Sequence, residues 1–327
     1  MPEIEIDTTR CIGCSQCVDF CPVEVFDLVE TDGVNGRFVA RPSRQEKCWA
    51  CDTCAGQCPT GAIYVRETEA EMGVSKKECK LTAPAIGDAE RFLYADWHRV
   101  LRDILGLRWY PVAVSLIPAG SAMPDVSMPP VRLRHCQSIM AARRGYSFLM
   151  TPRWHACPDG THILGITEIP PKLASGELYL RFGKIDSIEA ARQMVKERPS
   201  LPGRSIAASV VTPLRDAVCT PDVVVVIANP EQSMWLCMAA SYYSGRRFDF
   251  KVSGYNSLCV EATVIPYTTD EINISLGCYG GRASSDVGDD LMFVGIPLPR
   301  MARVIEGLQE LGKKAIPDSR DKAYLPL

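Results

Sequence analysis

The chain has 327 residues and a formal net charge of −3. This length predicts about two domains, and the slightly acidic balance argues against a nucleic-acid partner, which would need a clustered basic surface. No run approaches the ~20 apolar residues of a membrane-spanning helix, and residues 1–10 lack the charged-then-apolar layout of a signal peptide. We therefore expect a cytoplasmic protein with neither nucleic-acid nor membrane partners.

Cysteine is the most informative residue type, with fifteen in the chain and eight of them within residues 11–58. Without a signal peptide, metal ligation or redox chemistry is favoured over disulfides. Residues 11–22 read CIGCSQCVDFCP and residues 48–59 read CWACDTCAGQCP. Each is a complete C-x2-C-x2-C-x3-C-P run, the known signature of bacterial ferredoxins with two [4Fe-4S] clusters.

The spacing also predicts which cysteines share a cluster. Three thiolates on one tight loop reach three irons of one cube, and the fourth thiolate of each run crosses to the other cube. The first predicted ligand set is Cys11, Cys14, Cys17 and Cys58. The second is Cys48, Cys51, Cys54 and Cys21. The alternatives are a pair of zinc knuckles or eight cysteines in disulfides, and two complete copies of the run disfavour both.

Residues 1–68 enclose both runs and form the predicted ferredoxin domain. Between the runs, two apolar stretches flank Asp32-Gly33 and Asn35-Gly36, which predicts a hairpin. The domain carries 11 acidic and 6 basic side chains. Negative charge around a cluster lowers its reduction potential, and an acidic face can steer a basic redox partner. A merely well-solvated surface explains the same charge.

A polar, irregular stretch over residues 69–90 predicts a linker, and residues 91–327 form the predicted larger domain. Cys79 lies in the linker and is expected to be a plain thiol. Beyond the linker, helices are predicted from Ala89, over 131–144, over 186–198, from Pro230 to Gly245 and over 299–311. The apolar positions of the first of these helices are Phe92, Leu93, Trp97, Val100, Leu101, Ile104 and Leu105. Strands are predicted over 111–117, 222–228, 248–254 and 271–277. Interleaved strands and helices predict a mixed α+β or α/β sandwich whose strand order stays open.

The larger domain contains two segments of similar pattern, residues 134–160 and 256–282. In each, a cysteine starts a short helix, a strand follows, and a second cysteine lies in a turn that ends in glycine. This pattern predicts a degenerate internal duplication. A pseudo-twofold pairing of the two halves would bring four cysteines toward one axis: Cys136, Cys157, Cys259 and Cys278.

Four converging thiols predict a third site, either another [4Fe-4S] cluster or zinc. A metal-free redox or substrate pocket and plain packing of buried cysteines are the alternatives. Cys219 and Cys237 have no counterpart in the repeat, so packing is expected for both. Three of the four histidines, His135, His155 and His162, lie near these cysteines in the sequence.

Polar residues near these cysteines supply candidate catalytic groups. Histidine delivers protons near neutral pH, so His135 and His155 are candidate proton donors. Arg144 and Arg282 are candidate anion-binding residues, as are Arg143 and Arg153.

The stretches RHCQSIMAARRGYSFLMTPRWHACPDGTHILG, KLASGELYLRFGKIDSIEAARQM, PDVVVVIANPEQSM and SLGCYGGR resemble the DUF169 (ArCR) family over about residues 96–327. The resemblance brings no known activity. It implies that the following residues occupy family motif positions: Cys136, Arg144, Gly145, Cys157, Pro158, Gly176, Pro230, Cys259, Cys278 and Arg282.

Three functions fit these patterns. The first is a ferredoxin-fed reductase or other oxidoreductase of an anaerobe, with a small-molecule substrate and a working centre in the larger domain. The second is a non-enzymatic electron relay or adaptor subunit of a larger redox complex. The third is a redox or iron-sulfur sensor. No Walker loop, G-x-G-x-x-G fingerprint or Ser-His-Asp signature supports nucleotide binding or hydrolysis. Substrate and direction of electron flow stay open.

Overall fold

The computed structural model describes residues 2–31, 37–48, 50–51, 53–66, 86–255 and 257–316. The predicted turns at residues 32–36, most of the linker and Cys79 lie outside the described residues.

The ferredoxin domain is built from two short antiparallel pairs and two short helices. Strand β1 (Glu3–Ile6) pairs with β4 (Ile63–Arg66), and β2 (Asp27–Glu30) pairs with β3 (Phe38–Arg41). Helices α1 (Gln16–Phe20) and α2 (Thr53–Gln57) each carry the third cysteine of one ferredoxin run and contact each other. The cysteines, Val25 and Phe26 form the centre of its small apolar core.

The larger domain begins with helix α3 (Asp88–Leu105), which starts inside the predicted linker. Ile86 already packs in the core and donates its N–H to the Val218 carbonyl. The helices that follow are α4 (His135–Ala142), α5 (Pro158–Ile163), α6 (Pro171–Ala174), α7 (Glu177–Arg181), α8 (Ile188–Glu197), α9 (Pro230–Ser241), α10 (Ser257–Cys259) with a π-helical continuation (Val260–Val264), α11 (Ile265–Thr269), α12 (Tyr279–Ser284) and α13 (Leu298–Lys314). Single 3-10 turns lie at Pro152–Trp154 and Leu214–Asp216, and another lies at Gln45–Lys47 in the ferredoxin domain.

A six-stranded antiparallel sheet forms the centre of the larger domain, in the order β6-β7-β5-β8-β10-β9. Its strands are β5 (Val112–Pro118), β6 (Phe148–Met150), β7 (Ile206–Pro213), β8 (Val223–Ala228), β9 (Asn273–Ser275) and β10 (Met292–Pro297). The order is symmetric about the seam between β5 and β8, because each half contributes its first strand at the centre, its third next and its second at the edge. The strand order, which the sequence left open, therefore repeats one arrangement in both halves, as an internal duplication would.

Both faces of the sheet are buried, which makes the larger domain a three-layer sandwich. Side chains of β8 alternate between two cores: Val224 and Val226 face one, and Val223 and Val225 face the other. Helices α3, α9 and α13 cover the first face, through residues such as Leu101, Leu236 and Leu308. Helix α4 and the π-helical segment cover the second. The mixed α/β sandwich and the doubly covered strand are thereby confirmed.

Several predicted elements differ from the structure. The alternating stretch at residues 248–254 is not a strand, because side chains satisfy its backbone groups. Asn273 accepts the Lys251 N–H (2.9 Å), and Glu261 accepts the Gly254 N–H (3.2 Å). The helix predicted over 131–144 is confined to His135–Ala142. On α3, Phe92 is 77% exposed and Leu93 is 44% exposed, so these two predicted apolar positions do not pack into the core.

Among the helices in the described ranges, none combines the length and apolarity that crossing a bilayer requires.

Candidate iron-sulfur and thiol sites

The first cavity of the ferredoxin domain is lined by one predicted ligand set. Its space is about 320 Å³, and Cys11, Cys14, Cys17 and Cys58 all line it, together with apolar residues such as Leu28 and Ile63. Backbone N–H groups point at two of these sulfurs: Ala62 donates to the Cys58 Sγ (3.2 Å) and Ala40 to the Cys11 Sγ (3.5 Å). Donors of this kind are what a negatively charged cluster requires around its sulfurs.

A second cavity of about 280 Å³ is lined by the other predicted set, Cys21, Cys48, Cys51 and Cys54. Val25 donates its N–H to the Cys21 Sγ and Ala50 to the Cys48 Sγ, both at 3.3 Å. Each cavity therefore groups the three cysteines of one run with the fourth of the other. Burial raises the pKa of the Cys17 and Cys48 thiols to about 11, so a positive centre is needed to hold them as thiolates near pH 7.

In the larger domain, two cysteines cap short helices in the same way. Cys157 precedes α5, and its Sγ accepts the Gly160 N–H at 3.4 Å. Cys278 precedes α12, and its Sγ accepts the Gly281 N–H at 3.2 Å. The C-x-x-G turn of each half thus fixes one sulfur beside one glycine.

The two helix-starting cysteines, Cys136 and Cys259, face the capping glycine of the opposite half. A β-carbon on Gly281 would lie 3.3 Å from the Cys278 Sγ and 3.7 Å from the Cys136 Sγ. A β-carbon on Gly160 would lie 3.1 Å from the Cys259 Sγ and 3.7 Å from the Cys157 Sγ. The structure therefore brings Cys136 next to Cys278, and Cys259 next to Cys157.

The two pairs also lie close to each other. Burial raises the pKa of Cys136 to about 12, with the Cys278 and Cys157 thiols adding to the rise. The pKa of Cys259 is raised well above its ordinary value by burial and by the other three thiols. All four are free thiols.

Among the described residues, no group of three or more His, Cys, Asp or Glu side chains is arranged to hold a single metal ion. The eight described ferredoxin cysteines fall under the same statement. The absence of a single-ion arrangement is therefore a property that the four thiols of the larger domain share with the ferredoxin thiols.

The two candidate proton donors are buried. His135 is 0% exposed, and its Nε2 lies 3.1 Å from the Thr263 Oγ1, while that hydroxyl donates to the Leu258 carbonyl. Burial lowers the pKa of His135 to about 4 and that of His155 to about 3. Both imidazoles are thus neutral near pH 7, which weighs against their predicted role.

The candidate anion-binding arginines already have partners within the protein. Arg282 donates to the Leu276 carbonyl (2.8 Å) and the Leu291 carbonyl (2.7 Å), so it holds a loop together. Arg144 is half-exposed and pairs with Asp286, as does the buried Arg143 at 2.9 Å. Arg153 lies over the Trp154 ring, 5.7 Å from its centroid. Among the predicted packing cysteines, Cys219 is buried and Cys237 half-buried.

Comparison with known proteins identifies both parts of the chain. Residues 100–307 match the family described as DUF169, uncharacterised ArCR, and residues 10–62 match the 4Fe-4S dicluster domain. The uncharacterized protein MJ0308 of Methanocaldococcus jannaschii is 33% identical over 178 residues, which cover 54% of this chain and 76% of that protein.

The chain belongs to the DUF169 family. Its ferredoxin domain is 42% identical to the uncharacterized ferredoxin MJ0722 of the same organism over 64 residues, covering 20% of this chain and 78% of that protein. It is 39% identical to a ferredoxin of Methanothermococcus thermolithotrophicus over 66 residues, which cover 20% of this chain and 98% of that ferredoxin. The family and the presence of [4Fe-4S] clusters in the ferredoxin domain are thereby confirmed, and with them a role in single-electron transfer.

The sequence did not point to a buried polar group of the DUF169 domain beside Cys157. Asp159 accepts hydrogen bonds from the Tyr179 hydroxyl and the Arg198 Nη1, both at 2.6 Å. Burial, together with the Asp159 carboxylate, raises the pKa of Tyr179. The one signal in the sequence was the acidic residue Asp159 inside the C-P-D-G turn. Its partners Tyr179 and Arg198 follow 20 and 39 residues later, where no local pattern links them to it.

Proposed function

We propose that the chain is a ferredoxin-fed oxidoreductase of the cytoplasm of an anaerobe. The ferredoxin domain takes single electrons from a redox partner protein and passes them to a working centre at the four thiols of the DUF169 domain. A [4Fe-4S] cluster supplies the chemistry of gaining and losing one electron at low potential. The observation that carries the proposal is the direct docking of the ferredoxin domain on the DUF169 domain.

The docking contacts surround the C-terminal end of α1, which leads into Cys21. Lys172, only 8% exposed, donates from its Nζ to the Val18 carbonyl and to the Asp19 carbonyl (3.2 Å). A cation at this position also complements the negative end of the helix. Around it, the Phe20 and Phe182 rings pack with centroids 5.0 Å apart, and Arg181 pairs with Asp19 at 3.4 Å.

The Cys21 end of the ferredoxin domain thus faces inward, whereas one cysteine of the other ligand set reaches solvent. Cys14 is exposed, and its neighbour Ile12 is 60% exposed. An external redox partner can approach the Cys14 side closely without displacing the DUF169 domain. This arrangement supports entry of electrons at the Cys14 side and exit at the Cys21 side.

One backbone segment of the DUF169 domain joins the inward side to the four thiols. Burial raises the pKa of Cys48, and the positive charge of Arg132 opposes this rise. Arg132 also donates to the Arg153 carbonyl (2.7 Å) and the His155 carbonyl (2.6 Å). Two residues later, Arg134 begins the helix that carries Cys136. Residues 132–136 therefore link a side chain whose charge acts on Cys48 with the helix that carries Cys136.

Reoxidation of the reduced protein tests the proposal. The full chain is reduced anaerobically, freed of excess reductant and mixed with small-molecule acceptors while the iron-sulfur absorbance near 400 nm is followed. At least one acceptor should reoxidise the native protein, and the Cys136→Ser and Cys278→Ser variants should do so at least tenfold more slowly. Cys237→Ser is the matched control, because this thiol lies outside the site, and it should behave as the native protein does.

Two results would overturn the proposal. Equal reoxidation rates in native and site variants would mean that electrons leave directly from the ferredoxin domain. Reoxidation only by a co-purifying protein, with no small-molecule acceptor active, would instead establish the chain as an electron-relay subunit.

A further inference from the structure

The four thiols of the DUF169 domain lie where its two halves meet. We propose that they hold a third [4Fe-4S] cluster through two pairs that each cross between the halves, Cys136 with Cys278 and Cys157 with Cys259. This inference deepens the proposed function, because it names the group at the working centre.

The crossing follows from how each half presents its two cysteines. The first half supplies Cys136 on α4 and Cys157 before α5, and the second supplies Cys259 on α10 and Cys278 before α12. Helices α10 and α12 of the second half both contact α4 of the first. Each cysteine is therefore paired with a cysteine of the other half, and the ligand set is complete only when the halves are joined.

The two glycines whose N–H groups the cysteines cap, Gly160 and Gly281, lack a side chain, and the sulfurs occupy the space that a side chain would fill. An added methyl group at Gly160 would press on the Cys259 Sγ at 3.1 Å, a contact tighter than ordinary van der Waals packing. At Gly281 the tightest sulfur contact is instead with the Sγ of the capping Cys278, at 3.3 Å, and the Cys136 Sγ lies 3.7 Å away. Equivalent glycines at equivalent positions of the two halves indicate one site built twice from the same local geometry.

The sulfur spacing fits a four-iron cube. Both sulfurs of a pair lie within 3.7 Å of one point, so they are at most about 7 Å apart, and the thiolates around a [4Fe-4S] cube are roughly 6 Å apart. Tetrahedral zinc with Zn–S bonds near 2.3 Å would draw all four sulfurs to about 3.8 Å from each other. The limit of about 7 Å within a pair admits either spacing. The compact arrangement that a single ion needs is absent among the described residues, which favours the cube.

The surroundings supply a positive charge and backbone donors for an anionic cluster. Arg134 stands at the start of α4 and donates from its Nη1 to the Gly280 carbonyl (3.2 Å), so it spans both halves at the site. The Gly160 and Gly281 N–H groups already point at two of the sulfurs. Such donors stabilise coordinated thiolates.

Metal counting on the full chain tests the inference. Anaerobically purified or reconstituted protein should contain about twelve irons and as many sulfides, because each cube holds four. Single Cys136→Ser and Cys259→Ser variants should each contain about eight irons, and the double variant also about eight, since all ligands serve one cluster. Cys219→Ser and Cys237→Ser should keep about twelve. Iron and sulfide analysis of the native protein gives this count whether or not any variant folds, and its Mössbauer spectrum shows whether all the iron is in [4Fe-4S] clusters.

A milder perturbation uses the glycines. Gly281→Ala should lower occupancy of the third cluster, whereas the neighbouring Gly280→Ala, whose methyl group would meet only Arg134 at 3.4 Å, should retain it. Electron paramagnetic resonance of the two ferredoxin clusters should stay unchanged in both variants.

The outcomes separate this inference from the proposed function. Eight irons with one zinc, or eight irons with no further metal, would overturn the third cluster. If the Cys136→Ser variant then still failed to reoxidise, the thiol working centre would nevertheless stand. Twelve irons in a protein that no small molecule reoxidises would support the cluster and refute the oxidoreductase.

Discussion

Lys172 is the contact on which docking of the ferredoxin domain depends most, so its replacement by methionine is the sharpest test of the interface. Methionine keeps most of the side-chain length and apolar stem but removes the ammonium group. Two carbonyls at the end of α1, those of Val18 and Asp19, then lose their charged donor.

The magnitude follows from the contacts. Two hydrogen bonds from a charged donor contribute about 3 kcal/mol together, at about 1.5 kcal/mol each. The methionine side chain that replaces the lysine stays buried and offsets roughly 1 kcal/mol of this loss. The net loss of about 2 kcal/mol lowers the ratio of docked to undocked protein by roughly 30-fold. The exposed Arg181–Asp19 pair contributes at most about 1 kcal/mol, so it cannot compensate.

Hydrogen exchange followed by mass spectrometry measures this opening. Amides of residues 16–20 should exchange roughly 30-fold faster in Lys172→Met if exchange requires undocking. Lys196→Met, which removes an exposed lysine on α8, is the matched control and should leave the exchange unchanged. Unaltered protection of residues 16–20 in Lys172→Met would refute the claim that this lysine holds the domains together.

Four further expectations concern the clusters and the fold. In Cys58→Ala, electron paramagnetic resonance should show damage to the cluster of Cys11, Cys14 and Cys17; loss confined to the other cluster would disprove the crossed assignment. Residues 1–68 expressed alone should bind about eight irons, because all eight ligands lie within them; a fragment that cannot be reconstituted while the full chain can would place the domain boundary elsewhere. Burial raises the pKa of Asp222 to about 6 from its ordinary 3.8, so the native state binds a proton that the unfolded state has lost, and the stability of the protein falls as pH rises through 6. The melting temperature of Asp222→Asn, relative to that of the native protein, should therefore rise between pH 5 and 7.5. A difference that stays constant over this range would contradict this. Iron removal by a chelator should increase hydrogen exchange along the β5–β8 seam more than along β5–β7, and equal increases would argue against a cluster joining the halves.

The elements that depend on residues close together in the chain could be predicted from the sequence. The spacing within each ferredoxin run is short enough that a tight loop over residues 11–17 brings three thiols together. The apolar run of β8 had to be covered on both faces, because neither of its faces carries a polar side chain. The stretch at residues 248–254 alternated like a strand, yet Asn273 and Glu261 took its backbone N–H groups from a distance along the chain that no local pattern reveals.

Long-range pairing is the part of the site that sequence could not supply. The repeat of two cysteine units was visible, but nothing in it indicated that the helix cysteine of one half would face the turn cysteine of the other. Similarly, Lys172 reads as an ordinary surface lysine, and its hydrogen-bond acceptors lie 154 and 153 residues earlier. The burial of Asp159 depends on Tyr179 and Arg198 in the same way.

The proposed ligand crossing gives both domains one organising principle. In the ferredoxin domain, the fourth cysteine of each run lines the cavity of the other run, so neither cluster can form until both runs have folded. In the DUF169 domain, the seam between the halves has only three paired positions, Val112–Val225 to Val114–Val223, whereas β5 and β7 pair over the full length of β5. Backbone pairing alone therefore joins the halves weakly at the sheet. Ligands that cross the seam would add the free energy of metal binding to this junction, since metal affinity for a site absent from the unfolded chain is folding free energy. Without crossing, each half would keep its two cysteines to itself and leave the seam unaided.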